Sequence, residues 1–531
     1  MPGIVTRKFR IHNASQFKEM FDEAANDRLY LFIGRVRPWP SEGSPPTPVD
    51  SVESTDFDYW RTMLAAKRIQ AGDVSYAIDR YDWETGKRYR EFNSADTTLY
   101  DTPASSNTYY VMTDDYNVYK CLFNNKDAVS TVEPTGTSTS TLVTADGYHW
   151  KYMYNITAAD ALKFQTTSYI PVQTLTANNG STQWPVQEAA ANGTINIIDV
   201  TAGGSSYETH VDTLGAVTNT SVMTLASGAS ATDNIYNGSA LYISGGTGSG
   251  QQALKILDYV GSTKTVTLAN STNGSTNGGF SPTPDGDSTY ILAPLVTVSG
   301  DGATTATAFA NVSSGAVNYI SMINEGTNYS QAFVTISANT SHGGTTATAE
   351  AYIAPPGGHG SDAVKELSAH NIIMNIQLSG SEGDTFPTVN DFREVGILKN
   401  PTLSANGGQA NSASYDQTIQ LSLTGVGGSG RYNVDEVITG GTSGATARVV
   451  SFSNTNSGNT AGVLRVSNVG ANASFSAETV TGGSSGITAT LDSQAAGTLT
   501  NYDGELLYIE NRSAVSRASD QIEDIKLVVK F

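Results

Sequence analysis

Two kinds of hydrophobic spacing run through the chain, and they divide it unequally. Phe17, Met20, Phe21 and Ala24 recur at i, i+3, i+4 and i+7, which predicts a helix over 15–26 with Ser15 as its cap. Phe57, Trp60 and Leu64 repeat that spacing behind Ser54 or Thr55 and the acids Asp56 and Asp58, predicting a second helix over 56–69. Elsewhere β-branched and aromatic residues gather in short runs. Segments 29–34, 108–112 and 118–123 read as strands, while Pro38-Trp39-Pro40 and Pro45-Pro46-Thr47-Pro48 form an extended loop that no ladder can continue.

From about residue 176 the texture changes to Gly, Ser, Thr, Asn and Ala with regularly spaced Val and Ile, and the sequence begins to repeat itself. Ile195 to Val200 leading to Gly204-Ser205-Ser206-Tyr207 matches Val317 to Met322 leading to Gly326-Thr327-Asn328-Tyr329, at an offset of 122 residues. Gly302 to Ala308 is echoed by Gly344 to Ala349. Glu436 to Gly444 is echoed by Glu478 to Gly486, 42 residues on. Each echo has the form strand, Gly-rich turn, strand, and such units bury a sheet face only by stacking on a partner. The period of two in Gln420-Leu421-Ser422-Leu423 and Val463-Leu464-Arg465-Val466 argues against disorder. The expected fold is therefore mainly β and multi-domain: antiparallel sandwich or barrel-like modules, with a few short helices in the N-terminal third.

Composition narrows the function. The chain has 531 residues, enough for about three or four compact units, with 52 glycines and only 15% charged residues. A net charge of −20, with no cluster of Lys and Arg, disfavours binding to nucleic acid. Cys121 is the single cysteine and reads as a small buried strand residue, so no internal disulfide or cysteine zinc cage can form. No apolar run suits a membrane span or a signal core, which points to assembly in a reducing cytoplasm.

Several strings match known chemical motifs and fail the context that their chemistry requires. Gly425-Val426-Gly427-Gly428-Ser429-Gly430 fits a dinucleotide fingerprint, but the following 431–438 reads as a strand rather than a phosphate-binding helix. Gly248-Ser249-Gly250 leads likewise into a strand at 254–257. Gly482-Gly483-Ser484-Ser485-Gly486 fits a nucleophile elbow, yet no histidine follows His370, and its echo at Ser443 marks it as a repeat turn. His12, His149, His210, His342, His359 and His370 are scattered without metal-ligand spacing; His342 and His359 sit in glycine loops. Asp285-Gly286-Asp287-Ser288 begins like a calcium loop, but its twelfth position is Val296. Asp114-Asp115 and Asp79 with Asp82 read as solvated turns. No catalytic, cofactor-binding or metal-binding residue is assigned, and no cofactor or enzymatic activity is expected.

Three regions of the chain resemble a known family. The C-terminal run Gly504 to Arg512, then Asp520 to Ile525 and the closing Lys526 to Phe531, is similar to the end of the gene product eight family, baseplate wedge subunits of T-even-like contractile-tailed phages. Also similar are Ile4 to Arg10, Phe32-Ile33-Gly34-Arg35 with Pro38-Trp39, Asp146 to Tyr152, Tyr169 to Val172 and Phe392 to Pro401. The pieces occur in the family's order. They cover 1–175, 366–404 and 499–531, with 176–365 and 405–498 as β-rich insertions; Ser513-Ala514-Val515 departs from the prolines of the T-even protein. The resemblance implies a structural virion protein that forms a homodimer and joins other baseplate wedge proteins; contacts to tail fibres are a further expectation. The composition alone leaves open a receptor- or carbohydrate-binding tail component. The closing strand is expected to complete a sheet with the N-terminal strands.

Overall fold

The computed structural model describes residues 3–22, 27–100, 108–270, 278–337, 344–383, 385–428, 430–467 and 474–531. It is mainly β, with 40% strand and 10% helix in antiparallel sheets and a closed barrel, as the alternation predicts. Two of the short helices, Gln183–Ala189 and Ala363–Glu366, lie beyond the N-terminal third. The chain forms two compact units. One comprises Met1–Ala77, Ala159–Gln165 and His370–Phe531; the other comprises Ile78–Ala158 and Thr166–Ala369.

In the first unit, five strands align in the order Ser414–Asp416, Met63–Arg68, Leu29–Gly34, Phe392–Lys399, Glu505–Val515. The central Leu29–Gly34 strand is buried on both faces, so its side chains feed two cores: Leu29, Leu31 and Ile33 enter one, Tyr30 and Phe32 the other. Gly396 is required opposite them. A Cβ there would lie 2.4 Å from the Phe32 ring. The closing strand Ile522–Lys530 pairs with Asn371–Ser379, whose other edge takes Val74 to Ala77. The C-terminus therefore reaches the N-terminal strand through an intermediary rather than directly.

Both predicted helices need correction. The first begins at Arg7 and not at Ser15, because Thr6 caps it (its hydroxyl accepts from Phe9 N–H at 3.2 Å) and Ile11 and Ala14 extend the buried stripe backwards. Ser15 lies inside the helix, 2.8 Å from the Tyr76 hydroxyl, and Ala24 is outside the described residues. The second is mostly not α-helix. A π-helical turn, Val52–Asp58, capped by Ser51, leads into the short helix Tyr59–Thr62, and Met63–Arg68 is a strand. Met63, Leu64, Ala65 and Ala66 are buried in succession, which a strand covered on both faces satisfies and an amphipathic helix does not.

The barrel in this unit is a duplication. Ile419–Thr424, Val437–Gly440 and Thr446–Asn454 form one half; Ala461–Ser467, Thr479–Gly482 and Thr488–Ala495 form the other. The pairing obeys the repeat: Ile438↔Gly482 becomes Gly440↔Val480 when each residue is exchanged for its counterpart 42 positions away. Inward residues Leu421, Ile438, Val449, Leu464, Val480 and Leu491 share one core.

The second unit contains an aromatic sheet, Tyr110–Met112, Asn117–Phe123, His149–Asn155 and Leu142–Val143, burying Tyr119, Trp150 and Tyr152. It also contains a second duplication. Ile195–Ala202, Val296–Gly300 and Thr307–Ser313 correspond to Ala316–Asn324, Ala332–Ile336 and Thr348–Ile353. The first strand of each set pairs with the third of the other, and the middle strands pair together. A six-stranded sheet drawn from 210–294 interrupts the first set.

Candidate functional site

The residues singled out by motif are engaged in turns and packing. Ser484 donates its N–H (2.9 Å) and its hydroxyl (3.2 Å) to the Glu436 carboxylate. The glycines at 425–428 and 430 follow a strand as expected, but 431–436 is turn and loop, and the next strand starts only at Val437, because the chain there bends to bring Glu436 to the opposite repeat turn; Ser429 lies outside the described residues. Gly248-Ser249-Gly250 lies on the turn between Ser239–Gly245 and Leu254–Val260. Asp285 accepts from Thr247 and Ser288 hydroxyls at 2.6 and 2.8 Å, closing a loop. Asp114 N–H donates to Glu133, Asp82 pairs with Arg80 at 2.9 Å, and the Asp79 carbonyl accepts from Tyr110. Cys121 is fully buried, and burial pushes its thiol well up.

His12 sits on the first helix, His149 meets the Phe123 ring edge-on, His210 Nδ1 lies 2.7 Å from the Tyr290 hydroxyl, and the His370 carbonyl accepts from Phe531 N–H. His342 lies outside the described residues. Among the described residues, no three or more His, Cys, Asp or Glu side chains gather as a metal site would need, and no helix is long and apolar enough to cross a membrane.

What the first unit does bring together is the proline loop after Leu29–Gly34, the Phe392–Lys399 strand and the Glu505–Val515 strand. The Trp39 indole donates to the Arg512 carbonyl at 2.8 Å, while the Arg35 guanidinium stacks 3.5 Å over the Trp39 ring. Arg393, nearly buried, donates to Glu42 and to the Val36 carbonyl, each at 2.8 Å. Glu42 also accepts from the N–H groups of Trp39 and Ala514, and Asn511 donates to the Pro46 carbonyl. Desolvation opposes ionisation of Glu42, but the Arg393 hydrogen bond and these N–H donors hold its carboxyl below the usual range. The proline loop is thus fastened to the outermost strand, Glu505–Val515. Beyond that fastening the strand's outer edge pairs with no other described strand, and Val49 (64% exposed), Phe57, Tyr502 and Leu507 stand open around a groove of about 680 Å³ beside its 505–509 end. An apolar rim on an unpaired edge suits docking of another polypeptide.

In the second unit the sequence reading missed a buried ionic cluster. Lys120 Nζ lies 2.9 Å from Glu366 Oε2, 3.0 Å from His359 Nδ1 and 4.1 Å over the Phe92 ring. Glu366 Oε1 accepts from Gly360 N–H at 2.8 Å. Burial, then the Lys120 charge, pushes His359 down to about 4, so it is neutral near pH 7; burial disfavours the Glu366 carboxylate, but Lys120 and His359 together outweigh it and hold the group at about 2. All three are almost sealed from solvent, and the ion pair clamps the Asn117–Phe123 strand to the Ala363–Glu366 helix. Its one signal in the sequence was a lysine within the apolar strand Val118 to Phe123.

No curated protein matches the chain. The family model described as Bacteriophage T4, Gp8 matches residues 3–131, so the resemblance to the gene product eight family holds across the N-terminal segment that supplies the Trp39 loop, the Leu29–Gly34 strand and Lys120.

Proposed function

We propose that the chain is a structural subunit of a phage baseplate wedge, located in the virion tail after assembly in the host cytoplasm, and that it acts through protein contacts rather than turnover. The observation that carries this is the match of residues 3–131 to the Gp8 family. The convergence of 32–39, 392–401 and 504–512 supports it, since these segments, which resemble the family and lie far apart in sequence, meet in one unit. The finer reading is a homodimer that docks with other wedge proteins through the Glu505–Val515 edge and its apolar rim, with the inserted β-modules as extra contacts, to tail fibres among others.

The test is assembly in solution. Deleting 521–531 would strip the Ile522–Lys530 strand from Asn371–Ser379 and so confuse folding with docking. Surface variants avoid this. Val49→Asp with Leu507→Glu should leave the thermal midpoint unchanged and abolish co-assembly with the other wedge proteins. Light scattering should show a dimer at micromolar concentration; a monomer, with assembly intact in the double variant, would refute the reading.

A further inference from the structure

A second groove, in the second unit, has a different character from the apolar edge. It encloses about 620 Å³, a size common for small-ligand sites, between the aromatic sheet and the duplicated strands. Phe123 and His149 contribute from the sheet, Asn196 and Asp199 from Ile195–Ala202, and Asn318 and Tyr319 from Ala316–Asn324. Tyr319 is 51% exposed, and so offers a ring face to whatever enters.

The polar lining has unmet capacity. Thr141 Oγ1 and Asp199 Oδ1 are buried, have no hydrogen-bond partner among the described residues, and belong to residues that line the groove. Burying a hydroxyl or carboxylate oxygen without a partner is costly, and a side-chain rotation that turns either oxygen into the groove would let a hydroxyl-rich guest relieve it. Charge then selects among guests. Lys126, held on the Asn318 carbonyl, lines the same space as Asp199 and Glu325, so an anion meets two carboxylates against one ammonium and is disfavoured, while the ammonium offsets part of the carboxylates' pull on a cation. Burial lowers the pKa of His149, so its imidazole is neutral near pH 7 and adds no charge of its own.

We infer that this groove binds a neutral saccharide, with the apolar face of a sugar ring stacked on Tyr319 and its hydroxyls taken by Asn196, Asn318 and Asp199. A saccharide has the required combination: no net charge, one C–H face for an aromatic ring, and hydroxyls that both donate and accept. The site goes beyond the wedge reading and does not depend on it, because its residues lie apart from the Glu505–Val515 edge and the Val49–Leu507 rim in sequence and in unit.

The experiment uses the full chain on an array of neutral and charged bacterial oligosaccharides, followed by titration of the best binder by saturation-transfer NMR. Binding to at least one neutral glycan is expected, weakened at least tenfold by Tyr319→Ala and by Asp199→Asn at an unchanged thermal midpoint. If Asp199→Asn alone perturbs folding, Tyr319→Ala and Tyr319→Phe decide, since the phenylalanine keeps the stacking face and should retain most of the binding. Absence of binding to every neutral glycan, binding restricted to charged ones, or binding indifferent to Tyr319→Ala would overturn the inference. Co-assembly of the Tyr319→Ala chain with wedge proteins should be normal, which separates this site from the docking edge.

Discussion

The two duplicated modules, the 419–495 barrel and the interleaved strands of 195–353, solve one problem with different chemistry. Each must hold a glycine-rich turn of one repeat against the other repeat. In the barrel, carboxylates do so. Glu478 accepts from Thr442 N–H, Ser443 N–H and the Ser443 hydroxyl, while Glu436 reciprocally accepts from Ser484 N–H, Ser485 N–H and the Ser485 hydroxyl. In the other module, phenols do so. Tyr329 hydroxyl accepts from Ala306 N–H at 2.9 Å and Tyr207 hydroxyl from Ala347 N–H at 2.8 Å, each beside a left-handed glycine, Gly326 or Gly204. One anchor is ionic and makes several strong bonds; the other is neutral and adds a ring to the core.

The modules also differ in what they cover. Tyr352 hydroxyl donates to Glu91 at 3.0 Å and Lys126 to the Asn318 carbonyl at 3.2 Å, so the interleaved strands roof the aromatic sheet of their own unit. Excising 195–353 is geometrically simple, because Ala354 N–H already donates to the Thr194 carbonyl. Its energetic effect is not simple. Several large side chains lose part of their cover, each at a fraction of the about 1.5–3 kcal/mol that full exposure would cost, and an overall loss of roughly 3–5 kcal/mol in the unit is expected. Trp150 fluorescence in a thermal melt would report it; an unshifted transition would show that the aromatic sheet stands alone.

Next in size is the ionic anchor. Glu478→Ala leaves three turn N–H groups, those of Thr442, Ser443 and Ser476, without their acceptor and should cost about 2–3 kcal/mol, with Glu436→Ala similar. Hydrogen exchange of peptides spanning 437–446 and 479–488 reads both variants. Equal effects are expected from the repeat, and an effect confined to one turn would break the symmetry argument. The phenol anchor is weaker: Tyr329→Phe and Tyr207→Phe remove one acceptor each and should cost about 1–2 kcal/mol.

These contrasts also mark what could be read in advance. The Leu29–Gly34 strand was legible because β-propensity and two-sided burial agree there. The 56–69 helix was misread because Phe57, Trp60 and Leu64 mimic a helical stripe, although Phe57 is 39% exposed and Leu64 belongs to a central strand. The repeats were visible as strings, but an offset reveals kinship and not partnership; nothing in it shows that each turn is held by the opposite copy. The Lys120 clamp was hidden because Glu366 lies 246 positions away. The surface around Trp39 became visible only when 32–50, 392–401 and 504–515 met.

Acid separates the anchors further. Desolvation opposes the Glu478 carboxylate, but the Ser443 hydroxyl and the turn N–H groups hold its pKa at about 2, against an unfolded value of about 4.5. A depressed carboxyl contributes its stability above the unfolded value and loses it as pH falls through the folded one. Protection of the barrel turns should therefore decline between about pH 4.5 and 2. Glu478→Gln should flatten that decline at its own turn, and a decline that persists unchanged would assign it to other carboxylates.

An effect as small as that of the phenol anchor is expected from removing the barrel itself. Its incoming and outgoing strands already meet: Gln417 exchanges hydrogen bonds with the Leu499 backbone at 2.9 and 3.0 Å, and Thr498 N–H donates to the Asp416 carbonyl. A cut at 415 would cost the Ser414–Asp416 strand its pairing with Met63–Arg68, so the excision runs from 419 to 496 and joins Thr418 to Gly497. The contacts with the rest of the unit that are then forfeited include the buried Val450 in the main core, the 3.0 Å bond from Asn390 to Asp435, and the bonds of Gln420 and Arg465 to Asp416, each at 3.3 Å. A loss of about 1–2 kcal/mol follows, because a single valine leaves a shallow site that neighbouring side chains can fill, and Asp416 keeps its bonds from Thr418. The shortened chain should keep a single cooperative melt and bind other wedge proteins through the Val49–Leu507 rim as before. If it instead melts without cooperativity, the barrel is a structural member of the unit, and the two duplicated modules are alike in what they support.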